Sequence, residues 1–267
     1  MIPARSTTCA PAHGSDTSIS MSPSKVSRRN FLSTAALGSA VLGWLPRQAH
    51  AATPPSTQVE ADWFFSQTEW NAAAFNQLLR ARKTIKQLFD MKDPDGEMLA
   101  VHVHNAMTGL ERGFGIPSEK ILVVAALRAK ANLLLFDDYA WRKYQLGVAY
   151  KVKDPKTGKP AERNIFYRST MASDGKYASD DPNDPRSIES DSSIQAIQRR
   201  GVQMLCCHMA TEGIASYAVK RLKLKVSQET VAQDFLAHLI PGVLVVPSMV
   251  SAIPMLETHG RFAYLRL

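Results

Sequence analysis

The stretch Ile121-Leu122-Val123-Val124-Ala125-Ala126-Leu127 is the feature of the sequence that decides the fold class. An unbroken apolar run of this length is typical of a strand buried on both faces, as in a parallel sheet covered by helices on each side. Four other segments have strand character, namely Thr84–Asp90, Val202–Cys206, Val243–Val246 and Arg261–Leu267. Together they predict a mainly parallel sheet of about five strands.

Segments with helical periodicity separate these strands. They are Asp62–Leu79, Glu97–Leu110, Asn132–Tyr144, Ser193–Arg200, Met209–Leu222, Gln228–Leu239 and a helix capped by Ser248 that runs to Thr258 with a kink at Pro254. The alternation predicts an α/β three-layer sandwich. We expect a single domain over residues 83–267, preceded by a linker and lead-in helix at 52–82 and interrupted by a polar insertion at about 151–192.

Residues 1–51 have the three parts of a cleavable export signal. The pair Arg28-Arg29 precedes the moderately apolar run Ser33–Leu45, and the segment ends on Ala49-His50-Ala51. Met21 begins a part that already forms a complete signal, so it is a candidate for the true start. The paired arginines resemble the twin-arginine export class, and the apolar run is short for a membrane span. We therefore expect cleavage, a periplasmic or secreted location and no stable membrane span afterwards.

The charge balance gives little support to a nucleic-acid partner. The formal net charge of +8 falls once residues 1–51 are removed, since 27 basic residues then face 23 acidic ones. No lysine and arginine run is interleaved with aromatic residues, which is the pattern that nucleic-acid binding would favour. We expect no nucleic-acid partner.

Several short segments, taken together and in order, resemble the DsrE/DsrF-like superfamily, in particular its exported members of unassigned role. These segments are Lys86–Asp90, Asp138–Gly147, Lys159–Asn164, Gly201–Cys207 and Pro241–Pro247. The resemblance implies a compact α/β sandwich that often associates into dimers, trimers or hexamers, so a homo-oligomer is expected. In the sulfur-relay members a cysteine at a strand end carries sulfur as a persulfide, and Cys207 is the residue that matches it by position.

Two features depart from this family pattern. Related exported sequences often have a His-Gly pair at the end of the second strand, where this chain has Arg128-Ala129. Cys206 places a second thiol directly before the matching residue, Cys207, and His208 directly follows Cys207. The local chemistry therefore need not be that of the relay members.

The predicted strands place several functional side chains at their carboxyl ends, where doubly wound sheets bind ligands. They are Asp90, Arg128, Asn132, Cys207, His208 and Ser248. The dipole of the helix after Cys207 and the charge of Arg128 both favour a thiolate, which is the attacking species in exchange at sulfur. The opposing interpretation is that Cys207 is a small buried hydrophobic residue.

Other interpretations of the cysteines and histidines are weaker. Side chains alternate along a strand, so Cys206 is expected to be packed in the core. A bridge between the adjacent Cys206 and Cys207 would be a strained ring. Neither this pair with His208 nor the pair His102 and His104 has metal-ligand spacing, so we expect no metal or other cofactor. The acid-rich segment that ends at Asp191 indicates a solvated loop rather than a calcium site.

Two functional hypotheses follow. The first is an exported DsrE-like protein that binds or relays a small sulfur species through Cys207, with Arg128, Asn132, His208 and Ser248 as binding residues. Its partner would be a small sulfur compound or a sulfur-carrier protein, and any enzymatic activity would be sulfurtransferase-like. The second is a non-catalytic periplasmic protein of the same fold that binds a ligand or forms an oligomeric assembly. The fold alone does not choose between them.

Overall fold

A five-stranded parallel sheet forms the centre of the protein, whose computed structural model describes residues 70–169 and 177–267. The predicted export signal lies outside the described residues. The strand order is β4-β3-β2-β1-β5, and every neighbouring pair is parallel. The strands are β1 (Ile85–Met91), β2 (Ile121–Leu127), β3 (Gln203–Cys207), β4 (Val243–Val246) and β5 (Ala263–Arg266). The predicted α/β class is confirmed.

Helices connect the strands and cover the sheet. In the described ranges they are α1 (Ala72–Arg80), α2 (Gly96–Thr108), α3 (Asp138–Lys143), α4 (Leu146–Tyr150), α5 (Ile194–Arg199), α6 (His208–Leu222), α7 (Gln228–Ala237) and α8 (Met249–Thr258). Shorter 3-10 turns occur at Ser118–Lys120, Ala129–Leu135 and Ile188–Ser190, and a π turn extends α2 at Gly109–Gly113. Of the predicted lead-in helix, residues 62–69 lie outside the described part.

The two faces of the sheet are buried by different helices. On one face Phe89 and Met204 pack in a cluster with Val103 of α2 and Ile194 of α5. On the opposite face Leu88, Val124 and Leu205 pack with Phe75 of α1 and with Met249 and Leu256 of α8. Alternate residues of β1, β2, β3 and β4 therefore enter different cores, as the pleat of a strand requires, whereas the four residues of β5 are exposed. The result is the predicted three-layer arrangement.

A third apolar core contains residues of helices and of the loops between them. It joins residues of α3, α4, α6 and α7, and none of its buried members belongs to a strand. Trp141 of α3 is fully buried there, and its indole Nε1 donates a hydrogen bond to the carbonyl oxygen of Leu133 at 3.1 Å. In this core α6 and α7 thus pack against each other and against α3 and α4.

The single helix predicted over Asn132–Tyr144 is wrong. Residues Ala129–Leu135 form a 3-10 segment, and α3 starts afresh after Asp137, whose carboxylate accepts a hydrogen bond from the backbone N–H of Ala140 at 3.0 Å. Between them Phe136 forms an antiparallel bridge with Leu239. The run Leu133–Phe136 is buried throughout, so it has no polar face to establish an amphipathic period.

The acid-rich part of the insertion is exposed at Asp180 and Asp181, as the predicted solvated loop requires, but the prediction is wrong for its last residue. Asp191 is buried, and its carbonyl oxygen lies 2.9 Å from Nε2 of His104. The buried Arg200 guanidinium donates to Glu111 at 2.9 Å and lies 3.7 Å from Glu189. Glu189, a charge that the sequence pattern assigns to solvent, therefore lies beside a buried arginine that also donates hydrogen bonds to α2.

We predict that Ala129→Gly stabilises the protein by about 1 kcal/mol. Ala129 has a φ of +51°, a left-handed conformation that costs a residue with a Cβ more than it costs glycine. The measurement is the free energy of unfolding in urea. Ala73→Gly in the exposed, right-handed turn of α1 is the control and should lose about 1 kcal/mol. Equal destabilisation by both changes would contradict the left-handed backbone at Ala129.

Candidate functional site

Three of the predicted site residues share one face at the carboxyl end of the sheet. Asp90 pairs with Ala126, and Arg128 follows that residue by two positions. Leu127 pairs with Cys206, so these two residues point to the same face. Arg128 follows Leu127 and Cys207 follows Cys206, so both point to the opposite face. Paired residues of parallel strands point to the same side and successive residues alternate. Asp90, Arg128 and Cys207 therefore all lie on the face covered by α8.

The strand order places a topological switch point between β1 and β5. From β1 the chain steps through β2 and β3 to β4 in one direction, and it then returns to add β5 on the other side of β1. The helix α2 after β1 packs on one face, whereas α8 before β5 packs on the other. Ligands of open α/β sheets bind outside the carboxyl strand ends at such a point. Asp90 and Tyr264 lie there.

A compact polar cluster occupies this switch point. Arg128 donates two hydrogen bonds to Asp90, from Nε at 2.7 Å and from a terminal nitrogen at 2.9 Å. The hydroxyl of Tyr264 donates to the same carboxylate at 2.7 Å. Burial alone would raise the pKa of Asp90, but the hydrogen bonds from Arg128 and Tyr264 outweigh it and hold the pKa below its ordinary value of 3.8. Asp90 is therefore ionised at neutral pH.

The charge of Arg128 is mainly engaged by Asp90. The hydrogen bonds to Asp90 are the largest cause of the raised pKa of Arg128, and Cys207 contributes a smaller electrostatic interaction. The side chain of Arg128 is 27% exposed, so part of it remains open to solvent. Arg128 thus lies near Cys207, as predicted, but its positive charge is already paired.

Cys207 joins the end of β3 directly to α6, where it occupies the N-cap position. Its Sγ accepts a hydrogen bond from the backbone N–H of Met249, the first residue of α8, at 3.3 Å. The residue is only 6% exposed. Cys207 thus lies at the N-termini of two helices, one of which donates an N–H to its sulfur.

The backbone of Cys207 is held by two buried polar side chains. The amide nitrogen of Asn132 donates to the Cys207 carbonyl at 2.7 Å and to Oγ1 of Thr211 at 3.0 Å. Thr211 in turn donates to the same carbonyl at 3.2 Å. Asn132, predicted as a binding residue, therefore positions the cysteine through its peptide. Thr211 was missed, although its place four residues after Cys207 is a known signal for a hydroxyl that bonds back to a helix carbonyl.

His208 is a buried residue in the first turn of α6. Its Nε2 lies 3.7 Å from Oε1 of Glu212, one helical turn away. Burial lowers the pKa of His208, and the charge of Glu212 offsets this only in part. At neutral pH the imidazole is therefore uncharged and adds no positive charge beside Cys207.

Cys206 has the packing role predicted for it. It is fully buried on the face opposite to Cys207, with its sulfur 3.6 Å from Oγ1 of Thr211. Burial raises the pKa of Cys206 to about 12, so the thiol stays protonated at neutral pH. Both cysteines are free thiols, without a bridge between them.

Ser248 occupies the N-cap position of α8, as predicted, but its side chain makes no capping hydrogen bond. It contributes instead to the wall of a cavity of about 220 Å³ between α1, the end of β4 and α8. Val246, which also lines this cavity, is the register partner of Cys207 in the neighbouring strand. The cavity and the thiol thus adjoin within one apolar cluster.

Among the residues that the structure describes, no three His, Cys, Asp or Glu side chains are grouped so that they could hold a metal ion. In the same residues, no helix combines the length and the apolar character needed to cross a membrane. Comparison of the chain with protein-family models, with curated proteins and with solved structures found no match.

Proposed function

We propose that the protein is an exported DsrE-like sulfur carrier in which Cys207 accepts a sulfane sulfur. The observation that carries the proposal is the hydrogen bond from the Met249 N–H to Cys207 Sγ at 3.3 Å. A donated N–H and the positive end of a helix both stabilise negative charge on the atom they face. A thiolate is the nucleophile in exchange at sulfur.

The proposed reaction transfers one sulfur atom without a net oxidant. The Cys207 thiolate attacks the outer sulfur of an organic persulfide or of thiosulfate, and a new S–S bond forms on the protein. The donor's S–S bond breaks, and its electron pair leaves with the thiolate or sulfite. A second thiolate, on a small sulfur compound or a carrier protein, then removes the outer sulfur by the same kind of attack and regenerates Cys207.

The residues around the Cys207 thiol have different roles in this proposal. Asn132 and Thr211 fix the Cys207 peptide, while Cys206 stays protonated and takes no part. Arg128 would contact an anionic donor through the exposed part of its guanidinium, whose hydrogen bonds go to Asp90. His208 remains neutral at neutral pH.

The family resemblance and the predicted export signal supply the rest of the proposal. A parallel five-stranded sheet with a cysteine at a strand end is the arrangement that the resemblance implies. Ala129 has a left-handed backbone at the position where related sequences have the glycine of a His-Gly pair. The paired arginines before residue 30 support export by the twin-arginine route to the periplasm or exterior, and the family supports a homo-oligomer.

We expect the protein to gain one sulfur atom on Cys207 when it is incubated with thiosulfate or an organic persulfide. Intact mass reports the gain, peptide mapping separates Cys9 from the peptide that holds Cys206 and Cys207, and fragmentation of that peptide assigns the sulfur to one of the two. Cys206→Ser is the matched control and should load as the wild type does. Cys207→Ser should not load. Equal loading of both variants, or of neither, would remove Cys207 as the acceptor.

A second function is favoured by the burial of the thiol. At 6% exposure, Cys207 is close to a packed residue, and Asp90 already pairs with Arg128. These observations suit a non-catalytic ligand-binding or assembly protein. The rate at which a small neutral alkylating reagent modifies folded Cys207 separates the two functions. Modification only at the rate of global unfolding would favour the second.

A further inference from the structure

The cavity beside Ser248 has walls unlike those of the polar cluster at Asp90. Trp70 and Phe75 form an aromatic corner, with ring centroids 5.5 Å apart, and Met255 contributes from α8. The described residues that line the cavity are Trp70, Ala72, Phe75, Asn76, Val246, Pro247, Ser248, Ser251, Ala252 and Met255. None of these side chains is ionisable, so a charged ligand would lose its hydration without gaining an opposite charge.

The volume of the cavity limits the size of the ligand that it can hold. Its volume is about 220 Å³. A cavity of roughly 150 Å³ with apolar walls holds a benzene-sized molecule, so this one suits one to two rings or an aliphatic group of similar volume. The side chains of Asn76, Ser248 and Ser251 offer hydrogen bonds to one polar neutral group, such as a hydroxyl or an amide.

Part of the cavity wall on α8 is open to solvent. Met255, which lines the cavity, is 40% exposed, and Ser251 in the same wall is exposed as well. A small molecule can therefore contact the wall from the surface on the side of these two residues.

We propose that the cavity between α1 and α8 is a binding site for a neutral, largely apolar small molecule of one to two rings. The proposal does not require Cys207 to accept sulfur, because it rests on the walls of the cavity alone. Bound ligand would displace water from Trp70 and Phe75 and would join α1 to α8 through additional apolar contact. The protein with ligand is therefore expected to be more resistant to heat than the protein without it.

The test uses the full chain and two probes that differ in charge. 4-Methylphenol is neutral at neutral pH, and 4-methylbenzoate is its anionic counterpart. We expect 4-methylphenol to raise the melting temperature in a saturable manner and to change the emission of Trp70. We expect 4-methylbenzoate to bind at least about tenfold more weakly, because its carboxylate would enter a cavity whose described wall carries no charge.

Two variants of α8 locate the binding. Ser251→Phe places a ring in the cavity wall and should abolish the effect of 4-methylphenol, whereas Glu257→Phe adds the same ring on an exposed position outside the wall and should retain it. The absence of a saturable response, or a response that survives Ser251→Phe unchanged, would overturn the proposal. Failure here would leave sulfur loading of Cys207 unaffected, so the two proposals fail separately.

Discussion

Replacing Gly147 with alanine is expected to destabilise the protein by about 3 kcal/mol. A Cβ at Gly147 would overlap the backbone nitrogen and oxygen of Ala161. A flexible side chain could rotate to relieve such an overlap, but these backbone atoms cannot. Two backbone hydrogen bonds also hold Ala161 in place. Its N–H donates to the Val152 carbonyl at 2.9 Å, and the Val152 N–H donates to the Gly147 carbonyl at 2.9 Å. The methyl group would therefore force apart α4 and the start of the insertion.

The midpoint of urea unfolding measures this effect, and a second glycine provides the control. Gly213 in α6 is exposed and has no neighbouring atom where a Cβ would stand. Gly213→Ala should stabilise the protein by up to about 1 kcal/mol, because alanine is the better helix former. If Gly147→Ala were tolerated as well as Gly213→Ala, the close approach of Ala161 would be refuted.

Asp90→Asn is expected to cost about 2 kcal/mol, since it removes a buried carboxylate that accepts hydrogen bonds from the partly exposed Arg128 and from Tyr264. The asparagine amide would face the guanidinium of Arg128 with a donor where an acceptor is needed. It would also leave the Tyr264 hydroxyl with a weaker acceptor. The control is Asp184→Asn, because Asp184 holds Arg186 in a similar two-bonded pair on the surface, where such pairs contribute little.

The same change should alter the dependence of stability on pH. A carboxyl whose pKa is lowered on folding contributes stability above its unfolded pKa, and this contribution is lost as the pH falls through the folded value. The wild type should therefore lose stability from about pH 4 downward, and Asp90→Asn should show a flatter profile there. Parallel profiles for the two proteins would show that Asp90 does not keep a lowered pKa.

The strands were predictable because their apolar runs are short and bounded by polar residues or turns. Ile121–Leu127 and Val243–Val246 have the predicted bounds, and β3 is displaced by one residue. The position of β5 beside β1 was not predictable, since no local pattern specifies which edge a last strand joins. The contact between Tyr264 and Asp90 depends on that placement, so the polar cluster was only partly visible in the sequence.

The position of the site in the sheet was predictable from the sequence, whereas the charges and hydrogen bonds around Cys207 were not. A predicted strand ending at Cys206 and a predicted helix beginning at Met209 were sufficient to place the Cys207 thiol at the carboxyl edge of the sheet, where the structure has it. The groups that surround it are distant in sequence. The Met249 N–H comes from another crossover, and the pairing of Arg128 with Asp90 depends on strand register. Burial, which makes His208 neutral, likewise appears only when the chain is folded.

The central claim is that Cys207 can hold a sulfur atom and release it to a nucleophile. Cyanide attack on the outer sulfur of a Cys207 persulfide would yield thiocyanate and return the thiolate, so thiocyanate counts the sulfur carried. After loading with thiosulfate and removal of excess donor, the wild type and Cys206→Ser should release stoichiometric thiocyanate, and Cys207→Ser should release none. Release by Cys207→Ser at the wild-type level, or no release by any of the three proteins, would contradict the claim.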